Sequence, residues 1–126
     1  MRRLIVDLDE TITLHAQGGY AEAAPNLMLI AKLREYKAQD FQIVINTSRN
    51  MRTFKGNVGL INVNTLPLIL EWLKKHDVPF DEVYVGKPWC GFEGFHVDDR
   101  SVRPSEFIRY SLEEIHGILR AEKSGV

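Results

Sequence analysis

The sequence has few cysteines, no excess of one charge and no long apolar run, and each shortage excludes a class of protein. Its 126 residues include one cysteine, Cys90, which excludes a disulfide-stabilised scaffold. Lys plus Arg is 16 and Asp plus Glu is 17, a formal net charge of -1, so we expect no nucleic-acid partner. No apolar run reaches the length of a membrane span, and the N-terminus lacks a secretory apolar segment. We therefore expect a cytoplasmic protein with no membrane partner.

The chain does have enough apolar material for one folded domain, residues 1–126. Apolar residues make up 44% of it, which excludes intrinsic disorder. Four short apolar runs predict strands at residues 3–8, 41–45, 82–85 and 95–97. Helices are predicted from Asn26, from Asn64 or Thr65 to about His76, and as one closing helix from Pro104; residues 11–24 and 46–62 are predicted as loops. This order predicts an α/β fold, a single-domain, Rossmann-like, mostly parallel sheet with helices on both faces.

Polar residues follow each predicted strand. In chain order they are Asp7, Asp9 and Thr11; Thr47, Ser48, Arg49 and Asn50; Lys87; and Asp98 and Asp99. Ligands of open parallel sheets bind at the carboxyl ends of the strands, so we expect these groups to converge on one edge. Four neighbouring carboxylates repel one another and need compensation. Lys87 supplies one positive charge, and a hard divalent cation with oxygen ligands, Mg²⁺, supplies two more.

These motifs together resemble those of the haloacid dehalogenase-like superfamily of phosphohydrolases. They read DLDETI at 7–12, VINTSRN at 44–50, VGKPW at 85–89 and FHVDDR at 95–100, and the resemblance covers about residues 3–119. It implies that Asp7 is the nucleophile, which forms an aspartyl-phosphate, and that Asp9 is the general acid and then the base.

The resemblance also assigns the remaining site residues. Thr47 would donate a hydrogen bond to a phosphoryl oxygen, Lys87 would orient Asp7 and neutralise the transferring group, and Thr11 and Ser48 are grouped with these phosphate-binding residues. Mg²⁺ would be held by Asp7, the backbone carbonyl of Asp9, and Asp98 with Asp99. We count Arg49, Asn50 and His15 as candidate substrate contacts, although Arg49 suits a structural role equally well.

The short form is similar to small bacterial phosphatases encoded with capsule-polysaccharide genes, on the runs NTSRNM at 46–51 and GKPWCGFEGFHVDDR at 86–100. This similarity implies a small phosphorylated substrate, such as a sugar phosphate. Only eleven positions separate Lys87 from Asp98, and no cap domain is inserted. We therefore expect a homo-oligomer in which neighbouring loops, residues 12–24 and 51–62, cover the site.

A phospho-accepting, receiver-like regulatory domain is the alternative function. That fold also combines an acidic cluster, a hydroxyl residue and a Lys-Pro pair on a parallel sheet. It places its phospho-accepting aspartate at the end of the third strand, where this chain has Gly86 and Lys87. The alternative therefore fits the order of the motifs less well than a phosphohydrolase does.

Overall fold

A computed structural model describes residues 2–15 and 19–125 of the chain. Its backbone packing forms two compact units, a core unit, Met1–Trp89, and a C-terminal unit, Cys90–Val126. The core unit contains the strands β1 (Arg2–Val6), β2 (Phe41–Thr47) and β3 (Glu82–Val85) and the helices α1 (Leu27–Ala38), α2 (Val58–Asn64) and α3 (Leu66–Lys75). The C-terminal unit contains α4 (Pro104–Arg109) and α5 (Leu112–Gly125).

The three strands form one parallel sheet in the order β1-β2-β3. β2 lies in the centre, and its apolar run is buried on both faces, as the sequence predicts for a covered parallel strand. Asp81 starts the β3 pairing, since its N–H donates to the Ile43 carbonyl at 2.8 Å and its Oδ2 accepts from the Ile43 N–H at 2.8 Å. β1 is less buried than predicted because it is at the edge of the sheet; Ile5 is 60% exposed.

Helix α1 begins where the sequence predicts. The Asn26 side chain accepts from the Leu29 N–H and caps the helix. Leu29, Ile30 and Leu33 are buried, and the helix packs against β2. The helix ends at Ala38, and Asp40 takes a left-handed φ of 65° in the turn that leads into β2. This α1–β2 packing forms the centre of the core.

The segment predicted as a loop at 46–62 contains part of a helix. Asn57 caps α2 by accepting from the Leu60 N–H at 3.1 Å, and Ile61 is fully buried. Gly59 lies inside this helix. Thr65 precedes α3, but its hydroxyl donates to Asn50 Oδ1 at 2.7 Å instead of capping the helix. Tertiary burial of Ile61 outweighs the weak helix propensity of a glycine.

Two predictions for the C-terminal unit are wrong. Residues 95–97 form no strand, and every residue from 92 to 100 is exposed, so this short run lacks the neighbouring strand that a β conformation requires. The predicted closing helix is two helices, because Ser111 starts a new one. Its N–H donates to Glu114 Oε1, and its hydroxyl accepts from the Glu114 N–H, which forms a capping box.

The chain is thus a mixed α/β protein with a three-stranded parallel sheet. Within residues 2–15 and 19–125, no helix combines the length and the apolar character needed to span a membrane.

Candidate active site

The carboxyl ends of the three strands bring Asp7, Thr47 and Lys87 together. Asp7 follows β1, Thr47 ends β2, and Lys87 lies two residues beyond β3. The Lys87 N–H donates to the Thr47 carbonyl at 3.1 Å, which ties the end of β3 to the end of β2. The Lys87 ammonium then reaches Asp7 Oδ1 at 3.4 Å, with both side chains half-buried. A carboxylate and an ammonium therefore face each other at this edge.

The loop after β1 holds the second oxygen of Asp7. Residues Leu8–Ile12 form a kinked turn in which Asp9 is extended and Glu10 has a left-handed φ of 61°, and its end residues, Leu8 and Ile12, are completely buried. This turn places the Thr11 hydroxyl so that it donates to Asp7 Oδ2 at 3.1 Å. The Thr11 carbonyl in turn accepts from the Asn26 side-chain amide at 3.1 Å. Thr11 therefore orients the carboxylate of Asp7, and Asn26, the cap residue of α1, orients Thr11.

Asp9 is held by Arg49 in a two-pronged ion pair. Arg49 Nε donates to Asp9 Oδ2 at 3.1 Å, and a terminal nitrogen of Arg49 donates to Oδ1 at 2.6 Å. The Arg49 side chain is 4% exposed, that of Asp9 is 30% exposed, and the Tyr20 ring stacks 4.2 Å from the guanidinium carbon. Such a fork fixes both oxygens of the carboxylate at once. Arg49 therefore fixes the position of the Asp9 carboxylate.

Three other predicted site residues make contacts within their own loops or with neighbouring segments. Asn50 has a left-handed φ of 63°, and its side chain bonds to Thr65 and Thr53, which makes it part of the turn after β2. His15 is exposed and contacts Glu10 Oε1 at 2.8 Å. Ser48 is half-buried, and its carbonyl accepts from the Met51 N–H in the same turn.

Thr47 is almost completely buried at the end of β2. Its hydroxyl accepts a hydrogen bond from the Arg49 N–H at 3.0 Å, and Thr47 as a whole is only 1% exposed. The hydroxyl still has its own proton to donate. Thr47 thus shapes the turn that carries Arg49.

Asp98 and Asp99 lie in the C-terminal unit and are exposed. The Arg100 N–H donates to Asp98 Oδ1 at 3.0 Å. This hydrogen bond, followed by those from Ser101 and Asp99, lowers the pKa of Asp98 below its usual 3.8. Both carboxylates therefore lie on a solvent-exposed segment.

The residues fit Mg²⁺ by type, although the described part of the chain contains no ready-made set. Carboxylate and carbonyl oxygens are the ligands that a hard cation prefers, and Asp7 and Asp9 offer both. Across residues 2–15 and 19–125, however, no group of three or more His, Cys, Asp or Glu side chains is close enough to hold a metal ion.

A shallow groove of about 400 Å³ lies on the face of the sheet in the core unit. It is lined by Ile5, Val44, Tyr84 and Lys87 among others, and neither Asp7 nor Asp9 lines it. Lys87 therefore borders the groove and also faces Asp7, whereas Asp7 and Asp9 lie at the ends of the strands, outside the groove.

Two residues of the site escaped the sequence reading. Tyr20 lies in a stretch of small residues with no periodicity, and nothing in the sequence indicates that it stacks on Arg49. Asn26 was recognisable as a helix cap, but its second hydrogen bond, to the Thr11 carbonyl, connects it to the site. Such contacts between loops depend on tertiary structure.

Comparisons with known proteins give one close structural match. A crystal structure of a target protein from Vibrio cholerae superimposes with a TM-score of 0.95 and 57% sequence identity, covering 97% of this chain and 99% of that one. The two chains belong to one family. The similarity extends over essentially the whole chain and supports the fold described above, but it does not indicate an activity. No family model matches the chain, and no curated protein matches it.

Proposed function

We propose that the protein is a cytoplasmic, Mg²⁺-dependent phosphohydrolase that acts on a small phosphorylated metabolite such as a sugar phosphate. The observation that carries the proposal is the setting of Asp7. One of its oxygens accepts from Thr11 and the other faces Lys87, at the edge where three parallel strands end. An oriented carboxylate beside a fixed ammonium is suited to attack on an anionic phosphoryl group.

In the proposed reaction Asp7 attacks phosphorus. The bond between phosphorus and the ester oxygen breaks as the aspartyl-phosphate forms, and a proton passes to the leaving oxygen. Lys87 offsets the negative charge that gathers between nucleophile and phosphoryl group. Water then attacks the same phosphorus, which regenerates Asp7 and releases inorganic phosphate.

Asp9 is the proposed proton carrier, and Arg49 determines where its carboxylate lies. A carboxylate held at both oxygens by a guanidinium has no proton to donate. The phosphate of the substrate is also an oxyanion and competes for Arg49. When substrate binding loosens the Asp9–Arg49 pair, Asp9 takes up a proton from solvent, donates it to the leaving oxygen, and then accepts one from the attacking water.

The cation would be held by Asp7, the Asp9 carbonyl, Asp98 and Asp99. Bound there, Mg²⁺ would screen the approach of one anion to another and polarise the phosphoryl oxygens. The proposal also makes the sheet a Rossmann-like core with helices on both faces and no cap domain. The likeness to phosphatases of capsule-polysaccharide synthesis suggests sugar phosphates from cell-surface polymer synthesis as the first substrates to test.

Hydrolysis of an aryl phosphate tests the proposal directly. We expect release of phosphate with Mg²⁺, none with a chelator, and recovery when Mg²⁺ is restored in excess. Full activity in chelator would contradict the metal requirement, and the absence of turnover on aryl and sugar phosphates would overturn the function. A chain that takes a stable phosphoryl group from a small phosphodonor without turning over would support the receiver-like alternative.

A further inference from the structure

The outer edge of β1 is open in the described part of the chain. β1 pairs with β2 alone, so its second row of backbone N–H and C=O groups faces away from the sheet. Leu4 and Val6 pair with Ile43 and Ile45 in the ladder, which places each pair on one face. Ile43 and Ile45 are fully buried, whereas Leu4 and Val6 are half-buried. An edge strand with partly uncovered apolar residues is a template for another strand.

The C-terminal unit contains a segment with matching properties, residues 93–99. Phe95 is 79% exposed and Val97 is 89% exposed, and the two alternate with the polar His96. Alternation with a period of two is the pattern of a half-buried strand. Large apolar side chains with this exposure indicate a contact surface.

The two edges are complementary in one parallel register. When Asp98 is aligned with Asp7, the apolar residues of the segment fall beside the half-buried residues of β1: Val97 beside Val6, and Phe95 beside Leu4. The same register places Glu93 beside Arg2, so opposite charges meet at the other end. The apolar side chains would then extend the buried face that Ile43 and Ile45 already form.

We propose that residues 93–99 of a second copy add to β1 as a fourth, parallel strand and supply Asp98 and Asp99 to the site around Asp7. The inference rests on the proposed function for the role of the acids. It accounts together for the open edge of β1, the exposed Phe95 and Val97, and the absence of a set of three metal-binding side chains in the described residues. Exchange of identical segments between two copies is a low-cost route to a dimer.

Mixed dimers of two inactive chains test whether the acids act between copies. Asp7→Asn disables one chain, and Asp98→Ala with Asp99→Ala disables the other; the two full chains are co-expressed with different affinity tags. In a mixed dimer, one site combines the intact Asp7 of one chain with the intact acids of the other. Random pairing makes about half of the dimers mixed, and each mixed dimer has one working site of its two. We therefore expect about a quarter of wild-type activity. Acids that act within their own chain give no recovery, which would overturn the proposal.

Crosslinking tests the same contact without any activity. In a Cys90→Ser background, chains with Val6→Cys and chains with Val97→Cys are mixed and treated with a short bismaleimide. We expect a covalent pair of the two different chains, and none when Val97→Cys is replaced by Leu68→Cys, which puts the thiol at another exposed apolar site, on α3. A strict monomer in light scattering, with no V6C–V97C crosslink, would overturn the proposal.

The two experiments separate the two hypotheses. If the wild-type protein hydrolyses no phosphate ester, the proposed function fails, and the crosslink still decides the exchange of strands. If the protein is an active phosphatase but the mixed dimers stay inactive and the crosslink is absent, the exchange fails, and the proposed function stands.

Discussion

The central strand β2 and the segment 95–97 are both short apolar runs that lead into polar residues, but they differ completely in environment. Ile43, Val44 and Ile45 in β2 are at most 1% exposed, whereas Phe95 and Val97 are about four-fifths exposed or more. β2 has a hydrogen-bonded neighbour on each side, and the segment has none among the described residues. An apolar run therefore becomes a strand only where another backbone edge pairs with its N–H and C=O groups.

The largest expected effects come from substitutions at Asp7 in the core unit and at Asp98 in the C-terminal unit, and the two should change the kinetics in different ways. In the proposed reaction Asp7→Asn removes the attacking charge at similar size, so hydrolysis of phosphate esters should fall by roughly a thousandfold or more. Asp98→Asn should instead raise the Mg²⁺ concentration that gives half-maximal activity, by about 10–100-fold. Steady-state kinetics over a Mg²⁺ series distinguishes the two.

Asp40→Asn is the matched control for both changes, because Asp40 is exposed and asparagine tolerates its left-handed backbone. Its kinetics should equal those of the wild type. An Asp7→Asn protein with near-normal turnover would remove Asp7 from the mechanism.

A second pair of substitutions compares burial in the two regions. Ile43→Ala deletes fully buried methyl groups from β2 and should lower the free energy of unfolding by about 3 kcal/mol. Phe95→Ala should lower it by less than about 0.5 kcal/mol within one chain, because the ring is exposed. Urea unfolding followed by circular dichroism measures both.

The effect of Phe95→Ala should depend on protein concentration. A loss that comes from contact with a second copy grows as the protein concentration rises, because dimer formation stabilises the wild type more at higher concentration. A large loss of unfolding free energy that is independent of concentration would show that Phe95 packs within its own chain, which would contradict its exposed position.

A third, smaller effect is expected from the Asp9–Arg49 pair. Arg49→Ala leaves Asp9 without its partner and should destabilise the fold by about 2 kcal/mol, below the usual cost of breaking a buried pair because Asp9 is partly exposed. The shift in the urea midpoint measures it. Arg34→Ala, which loses one exposed hydrogen bond to the Asp77 carbonyl, is the control and should cost less than about 1 kcal/mol. Equal costs for both variants would mean that the Asp9–Arg49 pair adds no stability.

The smallest effect concerns the pH dependence of the core unit. The Lys37 ammonium, followed by the Ile43 N–H, lowers the pKa of Asp81 below its usual 3.8. Asp81 therefore stabilises the folded state above this value, and the contribution disappears as the pH falls through the lowered pKa of the folded state. The stability difference between wild type and Asp81→Asn should be constant near neutral pH and shrink below about pH 4.

Thermal unfolding from about pH 7 to pH 2 measures this dependence. Lys37→Met should remove most of the same dependence, because Lys37 supplies both hydrogen bonds of the ion pair, at 2.6 and 2.7 Å. A difference between wild type and Asp81→Asn that grows toward low pH would contradict the assignment.

The parts of the fold that were predictable are those with a strong local signal. The run FQIVI predicts a buried strand, and Asn26 followed by an apolar face predicts α1; both are present. The sequence could not show that residues 95–97 form no strand, because their local pattern is the same as that of a real strand. Helix α2 was missed because Gly59 weakens its pattern, and only the burial of Ile61 makes the helix stable.

The candidate site divides in the same way. The apolar pattern of the sequence correctly predicts which polar groups follow β1, β2 and β3 at the carboxyl edge of the parallel sheet, whereas Asp98 and Asp99 follow a run that forms no strand. Asp7 and Lys87 were predicted to meet there, and they lie 3.4 Å apart. Only the tertiary structure decided that Arg49 holds Asp9 and that Tyr20 covers Arg49, because these contacts join residues from separate loops. The physical reason is that periodicity records which face of an element is buried, whereas the pairing of two loop side chains depends on the path of the backbone between them.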